Sequence, residues 1–206
     1  MKRLGILISG RGSNFEAIAK NCASGKLAAS IAVVISNRAD AQGLRTAREM
    51  GLATVLLPSK GLTREEHDRQ VVEALIAAKV DLIVLAGYMR ILTAWFIEQF
   101  PQRIVNIHPA LLPAFPGLDA QHQAWEYGVR YSGCTVHFVD EKMDSGPILA
   151  QSIVPVFDSD TAETLSNRIL AEEHRIYSEA IAFVLSGQYR LDGRRVVRLA
   201  SAQDGN

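Results

Sequence analysis

The sequence predicts an α/β protein built on a doubly wound, mostly parallel sheet with helices on both faces, and three observations carry that reading. Short apolar runs alternate with stretches of helical periodicity along most of the chain. The runs are nearly continuous in apolar character, as in strands covered on both faces. A glycine-bearing turn follows the first run directly, where doubly wound sheets hold a ligand.

Leu4 to Ile8 reads as the first strand, and after the turn at Gly10 to Ser13 the residues Phe15, Ile18, Ala19 and Cys22 recur at helical spacing. Ser30 to Ile35 is a second strand, followed by a helix from Gly43 to Met50 that stops at Gly51. Thr54 to Leu57 is a third strand, and Thr63-Arg64-Glu65-Glu66 opens a long helix with a capping-box pattern. Leu82 to Leu85 and Arg103 to Ile107 are further strands, separated by a helix near Thr93 to Gln99. This rhythm implies parallel pairing through helical crossovers. Ligands of such sheets bind outside the carboxyl ends of the strands, so Ser9 to Ser13, Gly87 to Arg90 and Asn106 to Pro109 are expected on one rim.

From Pro109 the pattern changes. Pro109, Pro113, Pro116 and Gly117 exclude regular helix and central strand, and they predict a shaped loop. A short helix near Gln121 to Tyr127 follows. Cys134 to Val139 and Ile148 to Val154 then read as strands flanking a turn at Asp140 to Pro147, with an antiparallel element near the C-terminal part of the fold. The last long helix spans about Thr161 to Leu185, and Arg190 to Leu199 reads as a hairpin turning at Asp192-Gly193. There is no internal repeat, low-complexity tract or linker. Residues 1–187 are therefore expected to form one domain, with 188–206 a hairpin or tail of the same domain.

Composition narrows the function classes. Lys plus Arg and Asp plus Glu are both 22, so no net field draws the chain onto nucleic acid or an acidic membrane, and any anion site must be local. Cys22 and Cys134 are too few for a disulfide framework or a structural zinc, which suits a reducing cytoplasm. Arg11 interrupts the first apolar run too early for a secretory signal. The most apolar later stretch, Val80 to Ala86, contains Asp81 and ends at Gly87, too short to span a bilayer.

Three motifs carry chemistry. Ser9-Gly10-Arg11-Gly12-Ser13-Asn14 lies between a strand and a helix, where backbone N–H groups hold an anion such as phosphate. It is neither a dinucleotide fingerprint, since Phe15 stands at the third glycine position, nor a P-loop. Asn106-Ile107-His108-Pro109 is the most informative tetrapeptide. Residues two apart on a strand share a face, so an amide N–H and an imidazolium would converge on one point, as the oxyanion of a tetrahedral intermediate requires. The turn Asp140-Glu141-Lys142-Met143-Asp144-Ser145-Gly146 is functional only if Asp144 lies near His108, where it would raise the imidazole pKa; otherwise it is a solvated acidic turn. His137 is either a structural histidine or a second member of the site. No histidine pair has metal-ligand spacing and no serine sits in a nucleophile elbow, so direct transfer without a metal or covalent intermediate is expected.

Taken together, Gly10-Arg11-Gly12-Ser13-Asn14, Leu85-Ala86-Gly87-Tyr88-Met89-Arg90-Ile91-Leu92, Asn106-Ile107-His108-Pro109 with Leu111-Leu112-Pro113, and Gly133 to Val139 with Asp144-Ser145-Gly146-Pro147 resemble the folate-dependent phosphoribosylglycinamide formyltransferase family over residues 3 to 185. The resemblance implies 10-formyltetrahydrofolate as formyl donor and glycinamide ribonucleotide as acceptor in de novo purine biosynthesis. By position it implies Asn106, His108 and Asp144 as the catalytic trio, and Arg11, Gly12, Ser13 and Glu173 as ligands of the ribonucleotide phosphate and ribose. Met89, Arg90, Ile91 and Leu92, with Asn106 and the Val139 to Asp144 loop (Asp140, Glu141, Lys142, Met143, Asp144), would enclose the folate, and Arg64 would meet its benzoylglutamate tail. Asp119 stands where many members carry histidine.

Within the superfamily, methionyl-tRNA formyltransferases and formyltetrahydrofolate hydrolases share the Asn-x-His and Asp arrangement. The former adds a basic RNA-binding barrel and the latter an N-terminal regulatory domain; a neutral chain whose first strand begins at Leu4 favours the ribonucleotide enzyme. A non-catalytic nucleotide-binding module would keep the phosphate loop and need no acid. Small-molecule substrates, with no nucleic acid or membrane partner, are expected, and a homodimer is left open.

Overall fold

Alternation along the first strand sorts the molecule into layers. In β1 (Lys2–Ile8), Leu4, Ile6 and Ile8 join one buried cluster with Phe15, Ile18, Leu44 and Ile176, while Leu7 joins another with Val71, Leu75 and Phe96. Helices α1 (Ser13–Ala23), α2 (Gln42–Glu49) and α6 (Ala162–Ser186) supply the first cluster; α3 (Arg64–Ala77) and α4 (Ala94–Gln99) supply the second. The computed structural model describes residues 1–199, so Leu199 closes the described chain and the rest of the expected tail lies outside it.

Between these layers lies a nine-stranded sheet of the described residues, ordered β3-β2-β1-β4-β5-β6-β7-β9-β8. Its further strands are β2 (Ala29–Ser36), β3 (Thr54–Leu56), β4 (Leu82–Leu85), β5 (Ile104–His108), β6 (Tyr131–Phe138), β7 (Ile148–Pro155), β8 (Tyr189–Asp192) and β9 (Arg195–Arg198). Strands β1 to β5 pair in parallel, and β6 is antiparallel to both β5 and β7. The expected doubly wound sheet is therefore the observed one.

Several boundaries differ from the sequence reading, and three of them matter to the site or the sheet edge. Strand β6 begins at Tyr131 and not at Cys134, because Tyr131, Ser132 and Gly133 pair with Pro155, Val154 and Ile153; cross-strand pairing overrides the turn character of a Ser-Gly pair. The C-terminal hairpin turns at Gly193-Arg194, since Asp192 pairs with Arg195, and Gly193 takes the positive φ (58°) of a tight turn. Strand β5 includes His108, which pairs with Thr135. The hairpin also extends the sheet, β9 running parallel to β7.

Two devices brace the rim of the sheet. The predicted capping box of α3 is present, Thr63 Oγ1 accepting from Glu66 N while the Glu66 carboxylate accepts from Thr63 N. From α6 the fully buried Tyr177 donates its hydroxyl to the carbonyls of Leu85 (2.8 Å) and Val105 (3.1 Å), tying the helix to the ends of β4 and β5. The helix is thereby fixed against the strands that carry the candidate site.

Candidate active site

The three rim segments expected to converge do so. Ser9 N donates to the Gly87 carbonyl (3.0 Å), and Met89 N donates to Ser9 Oγ (2.8 Å), so the turn after β1 touches the turn after β4. Next along the rim, β5 ends in Asn106 and His108.

Helix α1 starts at Ser13 without a side-chain cap, which leaves its first-turn N–H groups to an outside acceptor. Gly12 precedes it in the left-handed region (φ 82°), and a Cβ there would lie 2.9 Å from Gly43 Cα of α2. Glycine is thus demanded twice, by φ and by the close approach of a second backbone. Arg11 is exposed beside this turn, and Gly12 and Ser13 are partly exposed. Glu173, far away in sequence, reaches the same turn: its carboxylate accepts from Asn14 Nδ2 at 2.8 Å while the side chain is buried in α6. Burial pushes the Glu173 carboxyl up to about 7, and the bond from Asn14 opposes that shift.

At the end of β5 the period of two puts Asn106 and His108 on one face. His108 Nδ1 lies 3.4 Å from Asp144 Oδ2, and His108 Nε2 lies 2.8 Å from the Phe115 carbonyl. Both ring nitrogens therefore face oxygen acceptors. Asp144 is held in turn by Gly117 N, which donates to Oδ2 at 2.8 Å. The Asp144–His108 juxtaposition that sequence could only pose as a condition is present.

His137 stands directly opposite Asn106 in the antiparallel β5–β6 pair. Its Nδ1 lies 2.8 Å from the Phe138 carbonyl, to which it donates, so Nε2 is free to accept from Asn106 Nδ2 at 3.2 Å; Asp144 Oδ1 is 3.8 Å away. Burial lowers the His137 pKa and keeps the ring neutral, consistent with that tautomer. A register shift between Val136 and His137 re-aims the strand at this point. Sequence reading left His137 undecided and passed over Phe115 and Gly117. The first was detectable only through the β5–β6 register, and the other two act through their backbones, which carry no residue-type signal.

The expected folate wall follows β4. Met89 is 66% exposed and Ile91 49% exposed, while Leu92 is buried and Val139 packs against the cluster that holds it. Asp140, Glu141, Lys142 and Met143 form the loop before Asp144, with Ser145 Oγ donating to the Asp140 carboxylate at 2.7 Å. Arg90 is partly exposed, and Arg64 is exposed in the first turn of α3. A cavity of about 410 Å³, which Asp144 itself lines, opens between Leu112, Pro116, Met143, Ile148 and Arg194. Asp119, in the departing loop position, adopts φ 57° and precedes α5 (Ala120–Tyr127) without a side-chain cap bond.

Burial raises both thiols, Cys134 to about 12, so neither is a ready nucleophile. No group of three or more His, Cys, Asp and Glu among the described residues has metal-binding geometry, and no described helix is long and apolar enough to cross a membrane.

This sheet and this site belong to a known class, and residues 2–181 match the formyl transferase family. The chain is 40% identical over 207 residues to the phosphoribosylglycinamide formyltransferase of Escherichia coli (strain K12), covering 97% of this chain and 98% of that protein. The crystal structure of glycinamide ribonucleotide transformylase 1 from Symbiobacterium toebii superposes with a TM-score of 0.94 at 51% identity, over 97% of this chain and 95% of that one. A formyltetrahydrofolate deformylase from Pseudomonas syringae shares the fold (TM-score 0.89) at 27% identity, over 97% of this chain and 66% of its own. The chain belongs to the phosphoribosylglycinamide formyltransferase family, folate-dependent one-carbon transferases of purine biosynthesis.

Proposed function

We propose that this chain transfers the formyl group of 10-formyltetrahydrofolate to the amine of glycinamide ribonucleotide, giving formylglycinamide ribonucleotide and tetrahydrofolate. The observation that carries the mechanism is the His108 imidazole held between Asp144 and the Phe115 carbonyl, next to Asn106. The amine nitrogen attacks the formyl carbon, and the carbonyl electron pair moves onto oxygen. One Asn106 N–H is engaged by His137, which fixes the amide plane and leaves the second N–H for the oxyanion. His108 exchanges its bond to the Phe115 carbonyl for one to the substrate, and Asp144 stabilises the imidazolium and receives the amine proton. Collapse of the intermediate breaks the bond from carbon to N10, and a proton from His108 leaves with tetrahydrofolate.

Arg11, Gly12 and Ser13 would hold the phosphate at the start of α1, and Glu173 the ribose hydroxyls. Met89, Arg90, Ile91, Leu92 and Asn106, with Asp140 to Asp144, would enclose the folate, and Arg64 would meet its carboxylates. Neutral overall charge and two thiols without a disulfide favour a cytoplasmic enzyme whose residues 1–187 act as one domain. The direct test is a spectrophotometric assay of purified protein with both substrates. Release of deformylated folate only when the ribonucleotide is present supports transfer; equal release without it would assign a hydrolase.

Glu173 yields a prediction with a definite sign. An unfolded glutamate ionises near 4.5, whereas the folded one ionises at about 7. Ionisation therefore favours the unfolded chain, and stability falls as pH rises from about 4.5 to 7 and stays lower above. Glu173→Gln removes the ionisation while keeping an acceptor for Asn14. The variant is expected to be more stable than the parent at pH 8 by an amount on the order of 3 kcal/mol at most, with no gain near pH 4.5. Its KM for the ribonucleotide should rise and lose the pH dependence expected of the parent around 7. Thermal unfolding at both pH values and steady-state kinetics measure the two effects.

A further inference from the structure

Beneath the folate wall lies a second polar cluster that the mechanism does not use. His67 and Asp68, in α3, are both fully buried. Burying a carboxylate is unfavourable unless it is well partnered. One Asp68 oxygen is well partnered: Oδ2 accepts from Thr93 N and from Thr93 Oγ1, each at 2.8 Å. Thr93 in turn caps α4 by accepting from Phe96 N. The other oxygen, Oδ1, is buried without a protein partner, as are His67 Nδ1, Tyr88 Oη and Arg90 Nε.

The residues that carry these four atoms are neighbours. His67 Nδ1 and Asp68 Oδ1 are 4.0 Å apart, and Asp68 and Arg90 act with opposite sign on both His67 and Tyr88. Their valences also balance. His67 Nε2 lies 2.9 Å from the Leu57 carbonyl and donates to it, so Nδ1 is an acceptor like Asp68 Oδ1, whereas Arg90 Nε–H and Tyr88 O–H are donors.

Arg90 belongs to the segment Met89 to Leu92, and Tyr88 immediately precedes it. At the start of this segment Met89 N is held by Ser9 Oγ, and just past its end Thr93 N is held by Asp68. Asp68 lies one helical turn from Arg64, on the same side of α3.

We infer that Asp68 is a positioning residue for the formyl donor: by holding Thr93 it sets the shape of the Met89 to Leu92 wall from below, without touching the donor itself. This inference rests on the assignment of that wall to folate. Asp68→Asn replaces a charge-assisted acceptor of two bonds with a neutral one. It is expected to raise the KM for 10-formyltetrahydrofolate about tenfold, the size of one hydrogen bond to a charged group. The ribonucleotide KM should stay within about twofold, and kcat should fall by less than the donor KM rises.

A residue that only supports the fold would move both KM values alike, so equal rises, or an unchanged donor KM in a folded variant, would overturn the inference. Thr93 reaches the same bond from the other side and serves if Asp68→Asn does not fold. Thr93→Ser keeps the hydroxyl and should hold donor KM near the parent value, whereas Thr93→Val should raise it several-fold; equal effects of the two count against the inference. Ile91→Ala probes the wall itself. If it raises donor KM while Asp68→Asn does not, the positioning role alone fails; if neither does, the folate assignment fails with it.

Discussion

His108→Ala is expected to lower kcat by about 10² to 10⁴ while the affinities for both substrates stay within a few-fold of the parent. The expectation follows from where the ring sits. His108 is buried, its Nδ1 is 3.4 Å from Asp144 Oδ2, and its Nε2 bonds a carbonyl and not a substrate-binding loop amide. Removing it takes away the acid and leaves the α1 start, the Glu173 carboxylate and the wall after β4 intact. Affinity measured by calorimetry and turnover measured by steady-state kinetics should therefore separate cleanly. Unchanged turnover would remove His108 from the mechanism. Because His108 and Asp144 act as one unit, the double variant with Asp144→Asn should be little worse than His108→Ala alone.

Gly146→Ala is expected to be nearly as damaging for a steric reason. A Cβ at Gly146 would lie 1.8 Å from the Phe138 carbonyl oxygen and 2.8 Å from its carbon, and both are backbone atoms of β6. Neither can yield as a side-chain tip would, because Phe138 N is itself bonded to the Pro147 carbonyl at 2.9 Å. The loop must move off the strand, and Asp144 moves with it. A shift of about 1 Å in a catalytic group lowers turnover roughly 10²-fold, so kcat should fall by at least that. Stability should fall by about 1–3 kcal/mol, as for other overpacked sites. Denaturant unfolding reports the second effect and kinetics the first. Parent-like kcat in this variant would show that the Asp144 position is not set by the Gly146 contact.

Much of the fold was legible because local periodicity encodes it. Near-continuous apolar runs marked β1, β2, β4 and β5, and the Thr63-to-Glu66 spacing marked the start of α3 to the residue. Errors fell where pairing decides the boundary: Ser132 and Gly133 look like turn residues and become strand only by facing Val154 and Ile153. Asp192 likewise looked like half of a turn until its pairing with Arg195 moved the turn by one residue.

The candidate site divides along the same line. The shared face of Asn106 and His108 follows from the two-residue period of a strand, and the open start of α1 follows from a glycine turn between strand and helix; both are properties of contiguous residues. Asp144 beside His108, His137 against Asn106, the Phe115 carbonyl on the imidazole and Asp68 under Thr93 are not. Each joins residues from different elements, and its geometry depends on sheet register and loop packing, to which no spacing along the chain is sensitive. So periodicity alone was enough to place Asn106 and His108 together at a strand end, whereas the groups that hold their side chains came from the packing of distant loops and strands around that end.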